Sequence, residues 1–589
     1  MPNRNKLHLF CASVSFMVVL LAALLYGSAK SQETPRSAIQ PALEGNRGAF
    51  KIAFNTSGTT AYVTEFDEGR VAVIDTASGK MLRHVSTQGT QPTGIAVVPN
   101  SSTVIVTNSF SGSVAFIDTK SGECSTIPLR GVPWDVVLSP DGSRAYVSVS
   151  QLDKVAVIDI GSRKIIGEMH TGHRPRALAI SPDGRTVVSG NMTDGSISYL
   201  DTATLSLRAS ASVPSVNLRG IDIFPDGRNV FVVAQKAQNE RPTETAIGIW
   251  SNQAFLQVPN GPRNGVQNLW LDLMGKDVSD PDSIVLDSTK SRAFITCSGG
   301  NSVNVVPVRG GETLTVENVG ACPRGLAFTP NYKELWIANN LSNDIAVINP
   351  ETLKIERRIN LGPSTHKGDA ILGKYLFSTA TIVKGEQFSC NSCHPDGGTD
   401  GISWKFVHVK DVLGKETDRN AKSLIGNIGS AGPFRWSGHE PSLAAFVEEE
   451  IPGLMQGSKP TAAQVSAIEK YVNTLSAPPN PYRNEDGTIS VKGLKGKALF
   501  EGKAECSSCH SGPRFGGTKK AWIGTTPEGV MLQVPRLTAV YDSYPYLHNG
   551  KAKTLEEVFS VYNEKELHGK AKQLSPEEMK DLLQYVMEL

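Results

Sequence analysis

From about Ala49 to Leu361 the chain repeats one unit. Each copy is a short apolar strand, a Pro-Asp-Gly turn or a relative of it, a second strand, a polar turn and a third strand ending in Ile-Asp-Thr or a variant. Third-strand copies begin at Val71 (VAVIDT), Val114 (VAFIDT), Val155 (VAVIDI), Ile197 (ISYLDT), Ile247 (IGIW), Val303 (VNVVPV) and Ile345 (IAVINP). The steps between them run from 41 to 56 residues. A period of about 40–45 residues with several short strands per unit is that of a β-propeller blade, and it predicts seven blades over residues 45–362. The turns agree: Ser139-Pro140-Asp141-Gly142, Ser181-Pro182-Asp183-Gly184 and Phe224-Pro225-Asp226-Gly227 put Pro where φ must be fixed and Gly where φ must be positive. A helical solenoid would show neither feature. His84, His170 and His173 are scattered through the blades without ligand spacing, so the array reads as a rigid docking platform.

After Leu361 the pattern changes to helical stretches broken by Gly and Pro, and it carries two strings of another kind. Cys390-Asn391-Ser392-Cys393-His394 and Cys506-Ser507-Ser508-Cys509-His510 are both C-x-x-C-H. Two thiols at this spacing form thioethers with the two vinyl groups of one porphyrin, and the adjacent imidazole falls below the iron as its ligand. Two covalently bound haem c groups are therefore expected, with His394 and His510 as proximal ligands. A zinc ribbon would want four thiolates in one tetrahedron and would gain nothing from the histidines. Lys367 to Phe377 and Lys495 to Gly502 each lead into a motif through a Gly-x-x-Leu-Phe-like segment, and Gln464 to Leu475 and Pro576 to Met587 close each half. The region is an internal duplication, with halves at 366–480 and 490–589. The fold expected is multidomain: an all-β seven-bladed propeller followed by a mainly α di-haem cytochrome c domain.

The 589 residues suit more than one domain, and the formal charge of +2 without a long basic run argues against nucleic acid as partner. Arg4 and Lys6, an apolar stretch from Leu7 to Tyr26 and Gly27-Ser28-Ala29 make residues 1–29 a signal peptide or an uncleaved N-terminal anchor. Either places the remaining chain in the periplasm, where c-type haem is attached. Cys124, Cys297 and Cys322 lie outside the haem motifs. A Cys297–Cys322 disulfide and buried free thiols are both open. The two long repeat steps enclose Gln235 to Asp282, with Trp250 and Trp270, as candidate contacts for the haem domain or a partner.

Two resemblances follow from these residues. The Tyr62-to-Thr64 segment and the Ile-Asp-Thr endings resemble the YVTN-type propeller family. The order CNSCHPDGGTDG, Arg435-Trp436-Ser437-Gly438, CSSCH, Val534-Pro535-Arg536-Leu537 and Tyr544 to Gly550 resembles the bacterial di-haem cytochrome c peroxidases and their MauG-like relatives. That second resemblance implies a reactive haem at His394 and a second haem at His510 that takes electrons from a donor. It implies that Trp436 relays electrons between them, that His408 occupies the place of a distal histidine, and that Tyr562 stands where the second haem takes its distal ligand, Met in peroxidases and Tyr in MauG-like enzymes. Met579 and Met587 are rivals of Tyr562. It also implies a calcium ion at Asn420, Ser543 and the Pro545 carbonyl.

One departure from the family matters. Phe446 replaces the glutamine that helps to cleave the O–O bond, leaving Glu448, Glu449 and Glu450 as candidate acid–base groups. Met455 would instead cap the first iron. The function expected is an exported, peroxide-dependent di-haem oxidoreductase taking electrons from a small periplasmic redox protein or a protein substrate. The alternatives are a non-catalytic di-haem electron-transfer subunit of a larger complex and a catalytic propeller whose electrons the haems remove.

Overall fold

The computed structural model describes residues 39–240, 242–246, 248–257, 265–271, 278–287, 289–406, 418–426, 428, 432–517 and 519–589. The leader at 1–29, His408 and Ile247 lie outside the described residues. Seven four-stranded antiparallel sheets follow one another in chain order, each a meander, and together they make the seven-bladed propeller. Its inner strands are β1 (Ala49–Phe54), β5 (Pro92–Val97), β9 (Pro133–Leu138), β13 (Pro175–Ile180), β17 (Val216–Ile223), β21 (Pro281–Asp287) and β25 (Pro323–Phe328). Five of the seven begin with proline, which lacks an N–H for the ladder and so fits the first residue of a strand. The first blade packs on the last through Ala49, Ile52, Ala61 and Ile74 against Trp336, Ile345 and Val347, which closes the ring.

The repeat motifs have local causes. Gly142, Gly184 and Gly227 take φ of +70°, +71° and +66°, as the Pro-Asp-Gly turns require. In blades one to four the aspartate ending the third strand caps the next turn: Asp75 Oδ1 accepts from Ser78 N at 2.8 Å, and Asp159 Oδ1 from Ser162 N at 2.7 Å. Blade five departs from the pattern. Its third strand is Trp250–Gln257, paired from Ala237↔Trp250 to Val230↔Gln257, and does not start at Ile247. The strand takes in Trp250, the last residue of the IGIW string. Of the two alternatives for Cys297 and Cys322, the structure has the one without a disulfide: both are buried cysteines, and burial pushes the Cys322 thiol up to about 11. Cys124 is free as well.

The helical half repeats one device. Helix α1 (Asp369–Ser378) leads to α2 (Cys390–Cys393), α3 (Leu443–Glu450) and α4 (Ala462–Thr474). In the second half α5 (Val491–Glu501) is followed by α6 (Leu555–Ser560) and α7 (Pro576–Met587). Capping boxes start both closing helices, Thr461 with Gln464 and Ser575 with Glu578. α1 crosses α4 where a Cβ on Gly373 would strike the Ala467 carbonyl and press on Tyr471 Cβ. α5 crosses α7 where a Cβ on Gly496 would strike the Asp581 carbonyl and press on Tyr585 Cβ. One edge-on aromatic pair accompanies each crossing, Phe377–Tyr471 at 5.2 Å and Phe500–Tyr585 at 5.3 Å. The duplication read from Gly-x-x-Leu-Phe is thus a duplicated helix crossing. Overpacking a tight contact costs about 1–3 kcal/mol, so Gly373→Ala and Gly496→Ala are each expected to lower stability by that amount in denaturant titration of the holo-protein.

Candidate haem sites and their setting

The first motif is gripped by the propeller. Ser389 caps α2, accepting from Asn391 N at 3.1 Å, and the hydroxyls of Ser389 and Ser392 donate to Asp280 at 2.6 and 2.7 Å. Arg219 of β17 donates to the Asn391 carbonyl at 2.9 Å, and Asn217 to the Ser392 carbonyl at 2.8 Å. Asp396, two residues past His394, is held by Arg176 of β13 and by Arg324 of β25, whose Nη1 lies 2.9 Å away. Arg324 also pairs with Asp282 of β21. Burial works to raise the Asp396 carboxyl, but Arg324, Arg176 and Arg219 overcome it and hold the group well below the ordinary carboxylate range. All these partners lie near the starts of inner strands, so the C-N-S-C-H-P-D segment seats over one end of the propeller axis. A cavity of about 670 Å³ adjoins it, lined by Trp134, Arg174, Arg176, Arg324, Asp396 and Tyr471 among others.

The blade-five insertion completes the grip. Asn239 donates to the Ser403 carbonyl at 2.9 Å, Thr243 N to the Lys405 carbonyl at 2.9 Å, and Ala246 N to the Leu454 carbonyl at 2.8 Å. Trp250 meets Trp404 edge-on at 5.0 Å. With Leu376, Phe388, Val447, Ile451 and Met455 they form an apolar cluster against which Cys390 and Cys393 pack. Trp270, by contrast, is exposed.

This setting fits a covalently held haem. Burial, with the charges of Glu450 and Asp280, pushes the Cys390 thiol up to about 12, and burial with Asp400 raises Cys393 well above the usual range. Such sulfurs are poor thiolates for zinc but suit thioethers, which carry no charge. Burial pushes His394 down to about 4, against the pull of the Gly398 and Lys422 backbone, so the ring is a neutral imidazole able to ligate iron. Asp400 accepts from Ile402 N and Trp404 Nε1, both at 2.9 Å, yet burial lifts it to about 7.

The three glutamates separate. Glu448 is exposed. Glu449 lies with His439 and Glu440, their ligand atoms within 4.8 Å of one another, a cluster without a spacing signal along the chain. Glu450 turns toward the first motif: its charge reaches Cys390 and Cys393, Arg435 holds it at 2.9 Å, and burial raises its pKa. The Arg435 guanidinium also lies over Phe446, 4.7 Å from the ring centre. Met455 is buried in the same cluster.

Trp436 sits at the seam of the two halves. Its indole N–H donates to the Asn420 carbonyl at 3.0 Å, its carbonyl accepts from Gln533 N at 2.8 Å, and its ring meets His548 edge-on at 6.2 Å. The Lys422 ammonium lies 4.1 Å from its ring centre. Asn420 and Pro545 meet, the Asn420 amide donating to the Pro545 carbonyl at 2.6 Å, while the Ser543 hydroxyl turns to the Ala539 carbonyl at 3.4 Å.

The second motif lies nearer the surface. His510 is buried and its Nδ1 is 3.0 Å from the Phe515 carbonyl, which fixes that nitrogen as donor and leaves Nε2 for a metal. The Tyr562 hydroxyl donates to the Lys551 carbonyl at 3.1 Å. Met579 packs against Phe500, Leu582 and Tyr585. The ring facing His510 is instead that of His568, missed in the sequence because it stands six residues beyond the position that motif counting selects. This half also touches the propeller: Arg174 holds the Asp542 side chain and its carbonyl, the latter at 3.0 Å, and His173 stacks on Tyr544 at 4.4 Å.

Comparison with known proteins agrees with this geometry. The di-haem cytochrome c peroxidase family matches residues 367–485, and the cytochrome c family matches 494–589. The helical half is a di-haem cytochrome c peroxidase and MauG-like domain. The cytochrome D1 heme domain family matches residues 97–241, within the propeller. Hydrazine synthase subunit gamma of Kuenenia stuttgartiensis is 25% identical over 37% of this chain and 76% of its own length. Cytochrome c551 peroxidase of Nitrosomonas europaea is 26% identical over 32% of this chain and 70% of its own. Methylamine utilization protein MauG of Methylorubrum extorquens is 24% identical over 32% and 67%. These relatives support a di-haem c-type oxidoreductase.

No described helix is long and apolar enough to cross a membrane. Removing one partner of a buried charge cluster costs about 3–5 kcal/mol. Asp396→Asn is therefore expected to destabilise the holo-protein by about that much and to make its unfolding biphasic by haem absorbance and far-ultraviolet dichroism, as the helical half loosens from the propeller.

Proposed function

We propose that this chain is an exported di-haem oxidoreductase that reduces a hydroperoxide, with electrons from a small periplasmic redox protein or a protein substrate. Haem c held by Cys390, Cys393 and His394 supplies the iron where peroxide reacts, and haem c held by Cys506, Cys509 and His510 supplies electrons. The observation that carries the reading is Glu450: a carboxyl whose proton affinity burial raises, beside the first motif and oriented by Arg435. Breaking the O–O bond of hydrogen peroxide to give two waters takes two electrons and two protons, and in this reading Glu450 delivers a proton to the departing oxygen. Trp436, bonded to both halves, offers the path for the electrons. Calcium between the halves belongs to the same reading, at Asn420, whose buried Oδ1 has no hydrogen-bond partner among the described residues, beside the Pro545 carbonyl.

A second reading, a non-catalytic electron-transfer subunit, is favoured by one observation, the thioether of Met455 buried in the cluster around Cys390 and Cys393. Stopped-flow spectra of the holo-protein with peroxide and a reduced donor separate the two. The peroxidase reading expects a change in the haem spectrum and oxidation of two donor electrons per peroxide, with Glu450→Gln slowing the reaction about 100-fold or more. An unchanged spectrum with no donor oxidation selects the second reading.

A further inference from the structure

The second half holds a pair of histidines that no family position assigned. His510 and His568 face each other with ring centres 6.3 Å apart and planes tilted by 36°. That is too far for stacking, and among the described residues no hydrogen bond joins the rings. Imidazole nitrogens bind first-row metals at about 2.0–2.1 Å. Two imidazoles on opposite sides of one metal therefore have ring centres about 6 Å apart, once the half-width of each ring is added.

The chain fixes both rings for this. His510 Nδ1 is committed to the Phe515 carbonyl at 3.0 Å. The His568 ring has no hydrogen-bond partner among the described residues, while its backbone is clamped. Asn563, itself 2% exposed, accepts from His568 N and donates to the His568 carbonyl, both at 2.9 Å. The next residue, Gly569, has φ +71° and lies against the Ala504 carbonyl and Cys506, a Cβ there falling 3.9 Å from the sulfur. This seats His568 over the second motif, and Phe559 flanks its ring at 5.7 Å. Of the rivals, Tyr562 is engaged with Lys551 and Met579 with the cluster of Phe500 and Tyr585.

We propose that His568 is the second axial ligand of the iron held by Cys506, Cys509 and His510, so that this haem is bis-histidine. The inference rests on haem attachment at that motif and deepens the electron-supplying role given to it. With imidazole in place of the thioether that raises the potential of His/Met haems, this haem sits at lower potential. It is also closed to peroxide, which confines the oxidant to the first site. Among donors, this favours strongly reducing ones.

The test is near-infrared magnetic circular dichroism and electron paramagnetic resonance of the resting holo-protein, without peroxide. Wild-type protein is expected to show one low-spin haem with bis-imidazole character, unchanged in Tyr562→Phe. His568→Ala is expected to turn that haem high-spin, with added imidazole restoring the low-spin signal, and His568→Met to raise its midpoint potential. A thioether or phenolate signature that Met455→Leu leaves in place overturns the proposal even if the His568 variants fail to fold. So do His568→Ala spectra identical to wild type. Failure of the peroxide reading leaves these spectra as they are, and failure of the ligation leaves peroxide turnover to be measured separately.

Discussion

Asp396 between Arg176 and Arg324 is the contact on which the arrangement of the two domains turns. The three side chains come from an inner strand of blade four, an inner strand of blade seven and the residue pair after the first haem motif. The two guanidiniums are buried and Asp396 is partly buried between them, and their desolvation is offset by one another and, for Arg324, by Asp282. Asp282, Arg219 and Asp280 extend the network to two more inner strands. The propeller expected as a docking platform is therefore part of the haem site. It fixes the backbone that carries Cys390, Cys393 and His394, and its Trp250 enters the same apolar cluster.

This grip makes two duplicated halves unequal. Their helix crossings match, glycine for glycine and tyrosine for tyrosine, yet Asn391 and Ser392 of the first motif are buried under the propeller while Ser508 of the second is exposed. A deeply enclosed iron suits chemistry that needs water excluded and a proton delivered by a fixed group such as Glu450. A haem nearer the surface suits exchange of electrons with a partner. The difference arises from what packs around each copy, since the copies themselves share one plan.

What was legible in the sequence was whatever is local or periodic. The Pro-Asp-Gly turns, the capping aspartates, the C-x-x-C-H strings and the Gly-x-x-Leu-Phe crossings each write their geometry into a few adjacent residues. Blade five was misread because its insertion carries apolar residues at strand spacing just before the true strand. Whether Cys297 and Cys322 pair stayed open because spacing along the chain says nothing about distance across blades. Arg176, Arg219 and Arg324 look like ordinary strand residues until the fold brings them onto one carboxylate, and His568 gives no signal because its meaning lies in a ring many residues earlier. Of the candidate ligands, His408 lies outside the described residues.

The central claim is that the His394 iron is open, or opens, to an oxidant while the His510 iron stays closed. Its most direct measurement is the spin state of each haem by electron paramagnetic resonance, in the fully oxidised holo-protein and again after one-electron reduction. The account predicts a high-spin ferric signal from one haem at rest or on half-reduction, alongside a low-spin second haem. Two haems that remain low-spin in both states would contradict it and leave an electron-transfer subunit in place of an enzyme.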